Sequence, residues 1–127
     1  MKLLLDTHVV LWWLHDDPRL GASARTLISS GDAQLWFSVA SLWEISIKHR
    51  IGKLGVTAAQ VAAQLPLARI SVLPIKVIHL TELERLPLLH RDPFDRMLLA
   101  QAMVEPAQLM TNDAILSGYG IPCIATD

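Results

Sequence analysis

The sequence has one cysteine, Cys123, which excludes an intramolecular disulfide and any cysteine-rich zinc site. It fits a reducing cytoplasm. No apolar run is long enough to span a bilayer. The start, MKLLLDTHVV, has one Lys and then Asp6, without the h-region and small-residue cleavage site of a signal peptide. A cytoplasmic protein with no membrane contact is therefore expected. Charge of either sign is also short: 11 basic and 12 acidic residues leave a formal net charge of -1. That balance gives no global nucleic-acid signal. The charged fraction, 18%, lies below that of a typical domain, which argues against long disordered tails. Repeats, low-complexity tracts and linkers are absent.

What the chain does have is apolar substance. Its 127 residues are 52% hydrophobic, enough for one domain with a core of its own, residues 1–127. Short apolar runs read as buried strands at Leu3–Leu5, Leu35–Ser38, Ile70–Ile75, Gln108–Met110 and Ile121–Ala125. Pro74 places the third near a sheet edge or a strand end. Between them, helices are expected at Val9–Leu14, Ala22–Ser30 (stopped by Gly31), Ser41–Arg50, Thr57–Leu65 (Thr57 as N-cap), Val77–Leu86, Pro93–Val104 and Asn112–Ser117. Strands alternate with helices and are apolar throughout. This predicts an α/β fold with a parallel sheet of about five strands between helical layers. In such sheets ligands bind beyond the carboxyl ends of the strands.

Four acids fall at those places. Asp6 follows the first strand, Glu44 lies early in the helix after the second, Asp113 follows Gln108–Met110, and Asp95 sits in the first turn of the helix from Pro93. Each also has a plain structural reading. Asp6 and Asp113 suit caps or turns. Ser41-x-x-Glu44 has the form of a capping box, with Lys48 as an i+4 partner. In HRDPFDRMLLAQA, Asp92 suits the N-cap and Pro93 the first helical position. Asp95 then points past the helix end toward the strand termini. Asp92 caps and is also able to orient Arg96.

Gathered at one sheet edge, four carboxylates repel one another unless protonated or neutralised by a cation. Magnesium and manganese favour carboxylate and water oxygens. A carboxylate cluster holding them suits phosphodiester hydrolysis, because the metal acidifies a bound water and stabilises the leaving oxygen. The sequence has no Gly-x-Ser-x-Gly elbow, His-Glu-x-x-His or phosphate-binding glycine loop.

Leu3-Leu4-Leu5-Asp6-Thr7, Ser41-x-x-Glu44, Asp92-Pro93-Phe94-Asp95-Arg96-Met97-Leu98-Leu99-Ala100-Gln101-Ala102 and Thr111-Asn112-Asp113, in that order and spacing, resemble the PIN domain. More closely, the chain is similar to the toxin half of bacterial VapBC-type toxin–antitoxin pairs. The resemblance covers essentially the whole chain. It implies a three-layer α/β/α domain and a magnesium- or manganese-dependent endoribonuclease. The acidic quartet becomes Asp6, Glu44, Asp95 and Asp113, serving as catalytic residues and metal ligands, with Asp6 and Asp95 the firmest. Thr7 and Thr111 support the ligand carboxylates. Asn112, Asp92 and Arg96 stand near the substrate. The resemblance further implies a small VapB-type antitoxin partner, operator DNA bound only through that antitoxin, and a homodimer.

Lys48, His49, Arg50 and Lys53, or Arg91 and Arg96, are candidate phosphate contacts; a solvated helix face is the plainer reading of the first group. Trp12, Trp13, Trp36 and Trp43 are candidate interface anchors, with core packing an equal expectation for Trp36 and Trp43. The five histidines, His8, His15, His49, His79 and His90, have no close metal-ligand spacing. Other readings stay open: a PIN-type RNA-processing nuclease that is not a toxin, a receiver-like domain, a haloacid-dehalogenase-type phosphatase, or a non-enzymatic metal-binding module. The receiver wants an acidic pair after its first strand, and the phosphatase wants Asp-x-Asp where Asp6-Thr7-His8 stands.

Overall fold

A computed structural model describes residues 1–88, 92–113 and 123–127. The elements run β1 Lys2–Leu5, α1 Thr7–Leu14, α2 Ala22–Ser29, β2 Gln34–Ser38, α3 Val39–Arg50, α4 Ala58–Gln64, β3 Ile70–Leu73, α5 Val77–Arg85, α6 Pro93–Val104, β4 Gln108–Met110 and β5 Cys123–Ile124. The five strands form one sheet in the order β3-β2-β1-β4-β5. All four strand pairings are parallel.

β1 is central, and its three leucines have no exposed surface. Alternation along the strand divides them. Leu3 and Leu5 join Val9, Trp12, Ile28, Phe37, Ile45 and Val61 on one face, under α1 to α4. Leu4 joins Leu73, Leu86, Leu98, Leu99 and Leu109 on the other, under α5 and α6. The fold is thus the expected three-layer α/β/α arrangement. Burying each leucine contributes about 1.5–3 kcal/mol, so β1 is pinned on both faces and along both edges.

Capping chemistry sets the helix boundaries. Asp92 accepts from the backbone N–H groups of Phe94 and Asp95, and Pro93 opens α6. Thr57 and Gln60 close a reciprocal capping box on α4. α1 begins at Thr7, before the expected Val9, several other ends shift by one residue, and two further boundaries differ for a clear reason. α3 begins at Val39, with Ser38 capping the N–H of Ala40. Ser41 lies inside the helix with its buried hydroxyl lacking a hydrogen-bond partner among the described residues, so Ser41 and Glu44 do not form a capping box. β3 ends at Leu73, one residue before Pro74, and is an edge strand. The expected helix Asn112–Ser117 from residue 114 onward, the start of the strand expected at Ile121–Ala125, and the readings of His90 and Arg91 lie outside the described residues.

α6 is locked in place by polar contacts. Fully buried His79 on α5 bonds Glu105 at the end of α6 at 2.7 Å. Gln101 Nε2 donates to the Pro74 carbonyl at 3.3 Å. His79 therefore has a structural partner, as its lack of ligand spacing suggested. Among the described residues, no helix is long and apolar enough to cross a membrane.

Candidate active site

The sheet order changes direction at β1: the chain runs outward through β2 and β3, then returns to place β4 on the other side of β1. A crevice opens beyond the strand ends at such a switch point. Asp6 leaves β1 there, and Thr111 to Asp113 leave β4 beside it. The receiver-type order 2-1-3-4-5 is different, so that reading falls with the topology.

At this edge lies a cavity of about 170 Å³ lined by Asp6, Thr7, His8, Glu44, Lys48, Asp92, Asp95, Asn112 and Asp113. The four acids expected from the sequence thus meet in one place. Asp6 is buried at 5% exposure, and its carboxylate both caps α1 and faces the cavity. Oδ1 accepts from the N–H groups of His8 and Val9 at 2.8 and 3.4 Å. Oδ2 accepts from the Thr111 hydroxyl at 2.7 Å. The cap and site readings of Asp6 describe one carboxylate.

Thr111 in turn accepts from the Asp113 N–H at 3.1 Å, so the β4 turn is fastened to the β1 carboxylate. Glu44, buried on α3, accepts from Thr7 at 2.6 Å on Oε1 and from Lys48 Nζ at 2.8 Å on Oε2. Thr7 and Thr111 hold site carboxylates in the manner expected. Asp95 occupies the third position of α6, and Asp92 holds the cap while also lining the cavity. Asn112 is exposed at the rim.

Arg96 departs from its expected place beside the substrate. Its guanidinium donates to the carbonyls of Pro87, Leu83 and Leu86, at 2.8, 3.4 and 3.5 Å, around the end of α5. Consecutive helix residues point about 100° apart, so sequence adjacency to Asp95 does not bring Arg96 to the same wall. Of the candidate phosphate contacts Lys48 lines the cavity, and so does His8, which the sequence gave no ligand spacing. The signal for Lys48 was its i+4 spacing from Glu44, which puts both on one helix face. His49, Arg50 and Lys53 are exposed and outside the cavity lining.

The donor set fits a hard divalent cation: five carboxylates, the Asn112 amide and the Thr7 hydroxyl dominate, beside the His8 imidazole, with no thiolate among the described lining. No three of the described His, Cys, Asp or Glu side chains stand as a preformed metal-holding group. Instead, Asp6 and Glu44 are engaged by the donors just named. Cys123 is on β5, where burial pushes its thiol up from the ordinary range, so it lacks the character of an activated nucleophile.

Fold and site together define a class: a doubly wound parallel α/β domain that gathers carboxylates at its switch point. The chain belongs to the PIN-domain family, whose profile matches residues 3–121. PIN domains are generally nucleases. No curated relative matches the chain. Among solved structures it is similar to VapBC2 from Rickettsia felis bound to promoter DNA, at 16% identity and TM-score 0.75, covering 100% of each chain. VapBC-1 from nontypeable Haemophilus influenzae matches at 17% identity and TM-score 0.68, over 98% of each chain. DNA-bound VapBC from Salmonella typhimurium matches at 15% identity and TM-score 0.69, over 100% of this chain and 99% of that one. At these identities the likeness shows the shared fold.

Proposed function

We propose that this protein is a magnesium- or manganese-dependent endoribonuclease and the toxin of a toxin–antitoxin pair. The observation that carries the reading is the meeting of Asp6, Glu44, Asp95 and Asp113 in one cavity at the switch point of a PIN fold. Asp6 and Asp95 would hold the cation, with Asp113 and Glu44 completing the set directly or through water. When bound, the ion supplies Lewis acidity and an acidified water for phosphodiester hydrolysis.

The chain's own residues do the positioning. Thr111 fixes the Asp6 carboxylate and the Asp113 turn, and Thr7 fixes Glu44. Asn112, exposed at the rim, offers an amide to sugar or phosphate. Asp92 keeps the first turn of α6 formed, and with it the placement of Asp95.

The solved VapBC complexes of the same fold, two of them bound to DNA, support a small VapB-type antitoxin as partner. Contact with operator DNA only through that antitoxin, and a place in the cytoplasm, belong to the same proposal. A homodimer is supported by an apolar stripe on α3 and its end: Val39, Trp43, Ile47 and Ile51, four residues apart and all exposed. Trp43 is 58% exposed and meets Phe94 edge-on, so it suits an anchor better than a core residue.

The test is cleavage of RNA by purified protein with magnesium, beside Asp95→Asn. We expect the variant to stay folded and lose activity by roughly a hundredfold or more, the loss of several kcal/mol of charge stabilisation. Undiminished cleavage by the variant would sink the assignment.

A further inference from the structure

We infer that Lys48 is a substrate-binding residue, its ammonium placed by Glu44 and Thr7 to take an RNA phosphate at the acidic cavity. This rests on the nuclease reading above and adds a residue to its site.

Five carboxylates line the cavity, and Lys48 is the one Lys or Arg among the described lining residues. A phosphodiester approaching that wall is repelled by it, and a cation beside the acids offsets the repulsion. Lys48 is built in. Its Nζ lies 2.8 Å from Glu44 Oε2, while Glu44 Oε1 is held by the Thr7 hydroxyl at 2.6 Å. The chain Thr7–Glu44–Lys48 ties α1 to α3 and fixes where the ammonium stands. Only one of the three ammonium protons is spent on Glu44 in this contact. The two side chains are also unequally exposed, 33% for Lys48 and 9% for Glu44, so the carboxylate lies inside while the lysine side chain reaches solvent. An ordinary surface pair has both partners in water; here the inner partner is buried. The other cations of the run, Arg50 and Lys53, are exposed and do not line the cavity.

A lysine that only neutralises Glu44 and one that also receives phosphate respond differently to the same change. The experiment measures binding of a labelled single-stranded oligoribonucleotide in chelator, over a range of salt, for wild type, Lys48→Met, Lys48→Gln and Lys48→Arg. Circular dichroism checks folding, and calorimetry gives magnesium affinity. We expect Lys48→Met and Lys48→Gln to weaken RNA binding roughly tenfold, as for one charge-assisted contact. The slope of log affinity against log salt should shrink by about 0.7, the share of one single-strand phosphate. Lys48→Arg keeps most of both. Magnesium affinity stays level or rises when the cation is removed, and with magnesium present the loss in cleavage appears mainly in KM.

Unchanged RNA affinity and salt slope in the folded Met and Gln variants would overturn the proposal, leaving Lys48 a partner of Glu44 alone. If wild type cleaves RNA, that result strikes only Lys48. A wild-type protein that neither binds nor cleaves RNA overturns the nuclease reading and this inference together.

Discussion

The Thr111 hydroxyl donates to Asp6 Oδ2 at 2.7 Å, across 105 positions of sequence. This bond joins the ends of β1 and β4 at the switch point and fixes one oxygen of the central carboxylate. Thr111→Val keeps the shape and removes the donor. Groups that orient metal ligands typically change affinity or activity by 10- to 100-fold. We expect a loss of about that size in magnesium affinity, read by calorimetry, with near-native circular dichroism. A variant that binds magnesium like wild type would show the hydroxyl to be structural only.

If Asp95 holds the cation as proposed, Asp92 and Asp95 divide stability from chemistry. Asp92→Ala removes the N-cap of α6 and should cost about 1 kcal/mol. For a domain of this size that is a fall in melting temperature of about 3 to 5 °C. Asp95→Asn should keep stability within about 0.5 kcal/mol, as for a substitution that opens no core, while activity collapses. Thermal melts beside cleavage assays decide it. Equal stability loss in both variants would remove the distinction.

If the protein is a toxin, its expression alone in a bacterial host arrests growth, and Asp6→Ala relieves the arrest. Growth curves with matched protein levels check this. Equal arrest by both proteins would count against nuclease toxicity.

Away from the site, Asp17 accepts from the Arg19 side chain at 3.1 and 2.7 Å and from its backbone N–H at 2.9 Å. These bonds, the side-chain one foremost, hold its carboxyl down from 3.8 to about 2. A lowered acid pKa contributes stability above the unfolded value, lost as pH falls through the folded one. The pair should therefore persist through pH 4 to 3 and release as pH falls further, half of it at about pH 2. An NMR titration of Asp17 reads this, and Arg19→Ala should return it toward 3.8. An Asp17 that titrates unchanged in that variant would refute the cause.

Much of this was legible because local chemistry and tertiary packing agree. α6 begins at Pro93 and ends at Val104, as expected, since Asp92-Pro93 starts a helix and Glu105-Pro106 stops one. The acids were legible through position: each follows a strand or opens a helix, and a parallel sheet brings those places to one edge. α3 was less so. β2 passes into it without a loop, so the last residue of the strand, Ser38, is also the cap, and Ser41-x-x-Glu44 imitates a start that lies three residues earlier. Arg96 misled because neighbours in sequence diverge around a helix. Lys48 was visible as a partner of Glu44, but its place in the cavity needed the position of α3 against α1.

The central position of β1 bears on how the protein opens. Segments paired on both sides and buried on both faces exchange their amides last, whereas helix ends and exposed turns open earlier. Asp6 hangs from that slow segment, and its own N–H is held by the Met110 carbonyl at 3.1 Å. Glu44 and Asp95 stand on helices laid against it. Partial unfolding will therefore strip the cavity of its walls before it moves the floor, and the Asp6 amide should rank among the most protected in the chain.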